Sequence, residues 1–325
     1  MLSNFILFVV SLILSLIIGS FLIPVLKSIK VKQNIRKDGP SSHITKKSQT
    51  PTIGGLIFLI PVFFASSVLC IIKKDFLTLN LSVVLCTTFI MAVLGFIDDY
   101  LKVKKKHNKG VSGWIKLLIQ FLVSFSIFYI YKEGNNVLYL LWFFFIIAGA
   151  SNSYNLTDGL DGLLGSIALA SLFGFFILFH HTARFELLTF SAIFFGALVG
   201  FLCFNRHPAK VFMGDTGSLA IGGAIGSLAI TSKAEFMLIF FAFIPILEAL
   251  SVILQVISYQ YSKKFLGIDK RLFKMAPLHH HFELIGWKET DIVKRFFFVQ
   301  LICTVIGIWI LIQLRHESLT SIIKW

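Results

Sequence analysis

Residues 137–179 read VLYLLWFFFIIAGASNSYNLTDGLDGLLGSIALASLFGFFILF. Two apolar runs, 137–149 and 163–179, flank a polar insert. The second is long enough to cross a bilayer at the rise of an α-helix, and the first needs its neighbours to do so. Within the insert Asn152, Asn155, Asp158 and Asp161 recur every third residue. On a helical or 3₁₀-like turn that spacing lines four oxygen-bearing side chains along one stripe. Gly159 and Gly162 let the backbone come close to a ligand. A carboxylate at the bilayer centre costs roughly 2.5–3.5 kcal/mol on insertion scales. Two of them between membrane-length segments therefore indicate either a functional wall or a polar turn capping the next helix.

The same alternation of apolar runs and charged loops fills the 325-residue chain, which is 56% apolar and holds 36 phenylalanines. A soluble domain could not bury that much apolar surface, and continuous rather than alternating runs argue against a β-barrel. The expected fold is an all-α integral membrane protein, residues 1–325 forming a single polytopic domain. Ten spans are expected, at 2–26, 53–72, 79–97, 114–131, 137–149, 163–179, 187–204, 218–231, 236–261 and 292–314. Pro245 marks the ninth as the one to bend. MLSNFILF lacks the basic start of a signal peptide, so the first span is taken as retained. Lysines and arginines crowd the loops on one side, which makes that side the cytoplasm and both termini extracytoplasmic. Asp75 is the only aspartate on the outer side in this arrangement.

The formal charge of +14 suits anionic lipid and phosphate-bearing substrate better than nucleic acid. Cys70, Cys86, Cys203 and Cys303 fall within spans without paired spacing and read as small apolar residues. No internal repeat is evident, which weakens a transporter reading.

Several motifs share the cytoplasmic side. HITKKSQTPTIGG (43–55) sets Lys46, Lys47 and Thr52 beside a turn, either as positive-inside charges or as partners of phosphate. In GFIDDYLK, Asp98 and Asp99 close the third span, and Lys102 is in helical reach of both. They make an ion-paired helix end, a general base, or a site neutralised by a cation. Lys116 lies inside the next helix. FNRHPAKVFMGDTGSL (204–219) places Asp215 at a helix start, where exposed amides and a carboxylate suit a phosphate with a divalent ion. Phe212 could stack on a base. Glu248, Ser251, Gln255 and Ser258 give the ninth span one polar face, for interhelical bonding or for lining a cleft. In APLHHHFE, His279, His280 and His281 are too close in sequence to share one metal easily and suit donation to phosphate oxygens better than zinc. His180 and His181 lie on the opposite side and read as an interfacial pair without a chemical role. Acids, cations and glycine-bounded loops on one face suit phosphoryl transfer, which needs charge neutralisation and alignment more than covalent machinery.

In this order, TPTIGG, DDYLK, NSYNLTDGLDG, FNRHPAKVFMGDTGS and APLHHHFE resemble the polyprenyl-phosphate N-acetylhexosamine-1-phosphate transferases, and among them the phospho-N-acetylmuramoyl-pentapeptide transferases. The resemblance runs from about residue 40 to 290. It implies an enzyme of the bacterial inner (cytoplasmic) membrane, working in peptidoglycan synthesis with its active site facing the cytoplasm. Its substrates would be UDP-MurNAc-pentapeptide and undecaprenyl phosphate, its products lipid I and UMP, and its cofactor Mg²⁺. A homodimer is left open. Carried over by motif, Asp215 looks like the Mg²⁺ ligand and Asp98 like the base that deprotonates the lipid phosphate, with Asp99 beside it and His280 completing the catalytic set. Asn155, Asp158 and Asp161 would line the nucleotide and metal region, with Asn152 close by. Asn205, Phe212, Gly214 and Ser218 would form the uridine pocket. Lys47, Thr52, Gln255 and His279 would touch substrate, His281 would complete the triplet, and Lys102 and Lys116 would partner the diphosphate. Direct attack by the lipid phosphate is preferred to a phospho-aspartate intermediate, because it needs only a base and a metal. The PLHHHFE segment favours the muramoyl-peptide enzyme over a sibling that uses UDP-GlcNAc. A proton- or ion-coupled transporter would spread its charges along a membrane path rather than crowd them at the cytoplasmic ends.

Overall fold

The computed structural model describes residues 2–29, 50–105, 110–131, 136–269 and 271–322. Lys46 and Lys47 lie outside the described residues. Among the described residues the chain is helical, without strands. The helices are α1 (Leu2–Ser28), α2 (Leu56–Ile72), α3 (Leu79–Lys105), α4 (Gly113–Tyr131), α5 (Val137–Thr157), α6 (Leu163–His181), α7 (Phe185–Asn205), α8 (Gly214–Ser232), α9 (Leu238–Phe241), α10 (Phe243–Tyr261), α11 (Leu278–Leu284) and α12 (Glu289–Ile322). Among the described residues eight helices are long and apolar enough to cross a membrane, while Leu56–Ile72 is shorter and the glycine-rich α8 is not among the eight. Large apolar side chains such as Trp114, Phe125, Phe145, Ile257 and Trp309 are exposed on the outer helices, where lipid would cover them. The chain is a multi-pass, all-α membrane protein.

α8 is the axis of the bundle. Its sequence, GDTGSLAIGGAIGSLAITS, is buried from Thr216 to Thr231. Small residues allow this, because backbones can then approach closely. A Cβ on Gly222 would collide with Ala150 and Ser151 of α5, and one on Gly223 would press on Met91 of α3. The same device joins α7 to α1, where Gly196 and Gly200 face Ser11 and Ser15. Around these seams sit fully buried rings, among them Phe58, Phe175, Phe194, Phe201 and Phe241.

Three elements differ from the sequence expectation. α5 does not stop near Gly149 but runs to Thr157, so Asn152 and Asn155 belong to its last turns and Asp158 is its C-cap. α3 continues to Lys105, so Asp98 and Asp99 precede its last turn. Lys102, Lys104 and Lys105 occupy that end and complement the helix dipole. The ninth span is broken rather than bent. α9 ends at Phe241, Ala242 has φ −128°, and α10 restarts at Phe243. Pro245 cannot donate a backbone hydrogen bond across the gap. Gln300 of α12 takes over there, accepting from Ile244 N at 2.9 Å and donating to Phe240 O at 3.0 Å.

Candidate active site

The start of α8 is held from below by α3. Asp99 accepts hydrogen bonds from Asp215 N (3.1 Å), Thr216 N (3.0 Å) and the Thr216 hydroxyl (2.7 Å). A carboxylate at that end satisfies orphan amides and suits the dipole. The amides expected to meet phosphate at the start of this helix are therefore occupied by Asp99 at residues 215 and 216. Gly214 makes the approach possible, with φ +74° and no side chain where Asp99 Oδ2 and Thr52 Oγ1 converge. The 51–55 turn is tied to the same strand of chain, with Phe212 N donating to Pro51 O and Gly54 N donating to Phe212 O, both at 2.8 Å. That pairing sets Thr52 beside Asp99 and leaves Phe212 half-buried.

Asp98, adjacent in sequence, points into a different group. Its Oδ1 accepts from Val111 N at 2.7 Å and pairs with Lys116 Nζ at 3.0 Å, while Lys102 Nζ lies on Oδ2. Both lysines also reach Asp215 Oδ2, Lys116 at 2.7 Å and Lys102 at 3.2 Å. Two ammonium groups thus bridge two carboxylates from three helices. Asn155 completes the group, donating to Asp215 Oδ1 at 3.1 Å and to Ser218 Oγ at 2.8 Å. Asp98 is 1% exposed and Asp215 15%, so Asp215 is the more open carboxylate. One oxygen each from Asp98, Asp99 and Asp215 lies within 4.8 Å of the others, a spacing that could hold a metal ion. An all-oxygen donor set suits a hard cation such as Mg²⁺. Asp158 borders this group. Burial, then the charges of Asp215 and Asp99, push its carboxyl up to about 8, against the hydrogen bond from Gly214.

The stripe of four expected in the insert divides among three surroundings. Asn155 and Asp158 face the Asp215 group, whereas Asp161 turns to another. Asp161 Oδ2 meets His207 Nδ1 and the Ala209 amide, each at 3.1 Å. Its own amide donates to Glu289 Oε1 at 2.7 Å, and Glu289 Oε2 lies 3.5 Å from His207. Asp161, His207 and Glu289 form a second group with metal-compatible spacing. Asn152, one turn back on α5, donates to Gln120 of α4 at 3.1 Å and to Ala148 O at 2.8 Å.

The remaining expected residues hold loops. Asn205 accepts from Gly162 N at 3.1 Å and donates to Val211 O at 2.9 Å, and it is 3% exposed. It ties the start of α6 to the loop before α8. Gln255 makes a two-way bond to the Phe273 backbone, at 3.1 and 2.8 Å. His279 is fully buried against Glu248, His280 pairs with Glu283 at 2.8 Å, and His281 Nδ1 accepts from Lys274 N at 3.2 Å. The three rings point three ways, as a helical turn requires. Thr216, Gln120, His207 and Glu289 are site-forming residues that the motifs did not single out, whereas Glu248, expected either to bond between helices or to line a cleft, does the first by meeting His279. A polar residue on an apolar span was the available signal for Gln120. Glu289 reads in sequence only as an acid at a helix start.

Comparison with known proteins bears on this geometry. Residues 81–233, which contain Asp98, Asp99, the insert and Asp215, match the family model for glycosyl transferase family 4. The chain is 40% identical over 328 residues to the phospho-N-acetylmuramoyl-pentapeptide-transferase of Bacillus velezensis, covering 95% of this chain and 99% of the relative. Identity to the protein of that name from Bacillus subtilis is 39% at the same coverage. For that of Shouchella clausii it is 40%, covering 93% and 95% of the two chains. By this end-to-end similarity, the chain belongs to the phospho-N-acetylmuramoyl-pentapeptide-transferase family.

Proposed function

We propose that this membrane transferase moves phospho-MurNAc-pentapeptide from its UDP carrier to undecaprenyl phosphate, giving lipid I and UMP. The observation that carries the reading is the pair of lysines bridging Asp98 and Asp215, in a chain similar end to end to transferases of that name. Lys102 and Lys116 are cations on flexible stems beside two acids. When a diphosphate arrives, its oxygens compete for the same ammonium groups. Turning toward the substrate, the lysines release Asp98, whose oxygens are otherwise all engaged. Asp98 then accepts the proton of the lipid phosphate, and that phosphate attacks the β-phosphorus, with UMP leaving. Asp99 keeps α8 in place and so keeps Asp215 in position, while Asn155 orients Asp215 and Ser218. Phe212 offers a half-buried ring to the uracil. His280, held by Glu283, and His281 are assigned to the sugar-phosphate as hydrogen-bond donors.

Mg²⁺ would be held by Asp215 with Asp98 beside it. Once bound, it would neutralise phosphate charge and polarise the phosphoryl oxygen. Active-site access from the cytoplasm of a bacterial inner membrane, ten crossings and one integrated domain belong to the same proposal. Access from the cytoplasm is supported by Lys102, Lys104 and Lys105, which close α3 just after Asp98 and Asp99.

The test is UMP release by the purified chain with undecaprenyl phosphate and Mg²⁺, offered UDP-MurNAc-pentapeptide or UDP-GlcNAc. Release with the muramoyl donor supports the proposal. Release with UDP-GlcNAc alone moves the chain to the sibling reaction.

A further inference from the structure

Glu248 and His279 are both wholly buried. Glu248 stands on α10 and His279 on α11, so their contact joins the last loop to the helix bundle. Glu248 Oε1 receives the backbone N–H of His279 at 3.3 Å and lies 3.0 Å from Nδ1 of the same ring. With Glu248 ionised, its oxygens can only accept, which assigns the proton of this contact to Nδ1. The ring is thereby fixed at two points on one side. Its other nitrogen, Nε2, is buried without a hydrogen-bond partner. It is turned onto Gly159, where an added Cβ would collide with it. Gly159 sits between Asp158, which borders the Asp215 group, and Asp161, which meets His207. A buried ring nitrogen without a partner is costly. It persists only if the ring is held there by something else, and Glu248 supplies that hold.

We propose that Glu248 is a positioning residue of the transferase site: it locks the His279 ring against Gly159 and so sets the 158–161 loop at its working distance from Asp215. The inference rests on the transferase reading. It also gives His279 a role other than substrate contact, since the ring has no exposed surface. The general requirement is familiar from metal sites, where partners of a ligating histidine fix its tautomer and direction.

The experiment compares E248Q, which keeps an acceptor, with E248M, which keeps the length and removes it. UMP release from UDP-MurNAc-pentapeptide is measured in the full-length chain with undecaprenyl phosphate and Mg²⁺. E248M loses about 10–100-fold in kcat, in the range for displaced supporting contacts, and E248Q stays within about fivefold of wild type. Imidazole ¹⁵N shifts of His279, assigned from H279A, report one Nδ1-protonated form in wild type and E248Q, and a mixture in E248M. A second cycle needs no change at Glu248 and decides the matter if E248M does not fold. G159A is impaired, because its Cβ meets the ring, and G159A/H279A is no slower than H279A alone. The proposal is overturned if E248M turns over like E248Q, or if the losses of G159A and H279A multiply. Absence of UMP release by wild type instead removes the transferase reading, while the ¹⁵N shifts still decide the Glu248–His279 bond.

Discussion

Around Asp215 and around Asp161 the chain assembles similar groups, each able to bring three ligand atoms within 4.8 Å. What holds the carboxylates differs. Asp98 and Asp215 are bridged by lysine side chains, which can rotate away to a phosphate. Asp161 and Glu289 each take a backbone amide, of Ala209 and of Asp161 itself, with the His207 ring between them. Amides cannot turn to follow a ligand without moving the chain. On the proposed function the first group exchanges partners, while the contacts of the second tie α12 and the 207–209 loop to the insert. Residue type alone would not separate them; the donors do.

The largest expected effect falls on the exchanging group. Asp215→Asn should lower turnover by about 10²–10³-fold or more, the scale for losing one preorganised electrostatic group, with thermal stability close to wild type. Asp161→Asn should do the reverse, with a smaller loss of turnover and a larger drop in melting temperature. Equal turnover in the two variants would erase the distinction between the groups.

Next comes a contrast within one dipeptide. Asp98→Asn should abolish most turnover and leave the fold intact. Asp99→Ala removes the partner of two amides and a hydroxyl at the start of α8, and should cost about 0.5–2 kcal/mol of stability, the range for a lost helix cap. Thermal unfolding and UMP release on both variants check this. Unchanged stability in Asp99→Ala would mean that α8 does not depend on its cap.

Asp158 sharpens the comparison through pH. Between the ordinary carboxyl value of 3.8 and about 8, the folded chain keeps a proton on Asp158 that the unfolded chain has released. Stability therefore falls as pH rises through that window. Without divalent ions, the melting temperature of wild type should fall more between pH 5 and pH 8 than that of Asp158→Asn. Parallel slopes would show that burial and the like charges of Asp215 and Asp99 do not hold a proton on this carboxyl. The smallest effect is expected far from both groups: His181→Ala should release UMP at the wild-type rate.

Much of the fold was legible because bilayer thickness writes itself into the chain as long uninterrupted apolar runs. Helices stand at all ten expected stretches. Helix ends were less legible, since α5 carries its polar residues to Thr157 by packing them against α4 and α8 rather than by ending. In the site, the residue types around Asp215 could be picked out, but their division of labour could not. Asp99 caps a helix through the Asp215 amide, 116 residues later, and nothing near it in sequence announces that contact. The period-three stripe promised one surface, and Gly159 and Gly162 let the chain turn so that Asp161 faces another way. Gly162, with φ +77°, is where that turn enters α6.

The most direct measurement is transfer of labelled phospho-MurNAc-pentapeptide from UDP to undecaprenyl phosphate by the purified chain, wild type beside Asp215→Asn. Wild type should form labelled lipid with stoichiometric UMP in the presence of Mg²⁺, and a folded Asp215→Asn should form almost none. Labelled lipid made at the wild-type rate by Asp215→Asn would contradict the central role given to the lysine-bridged carboxylates.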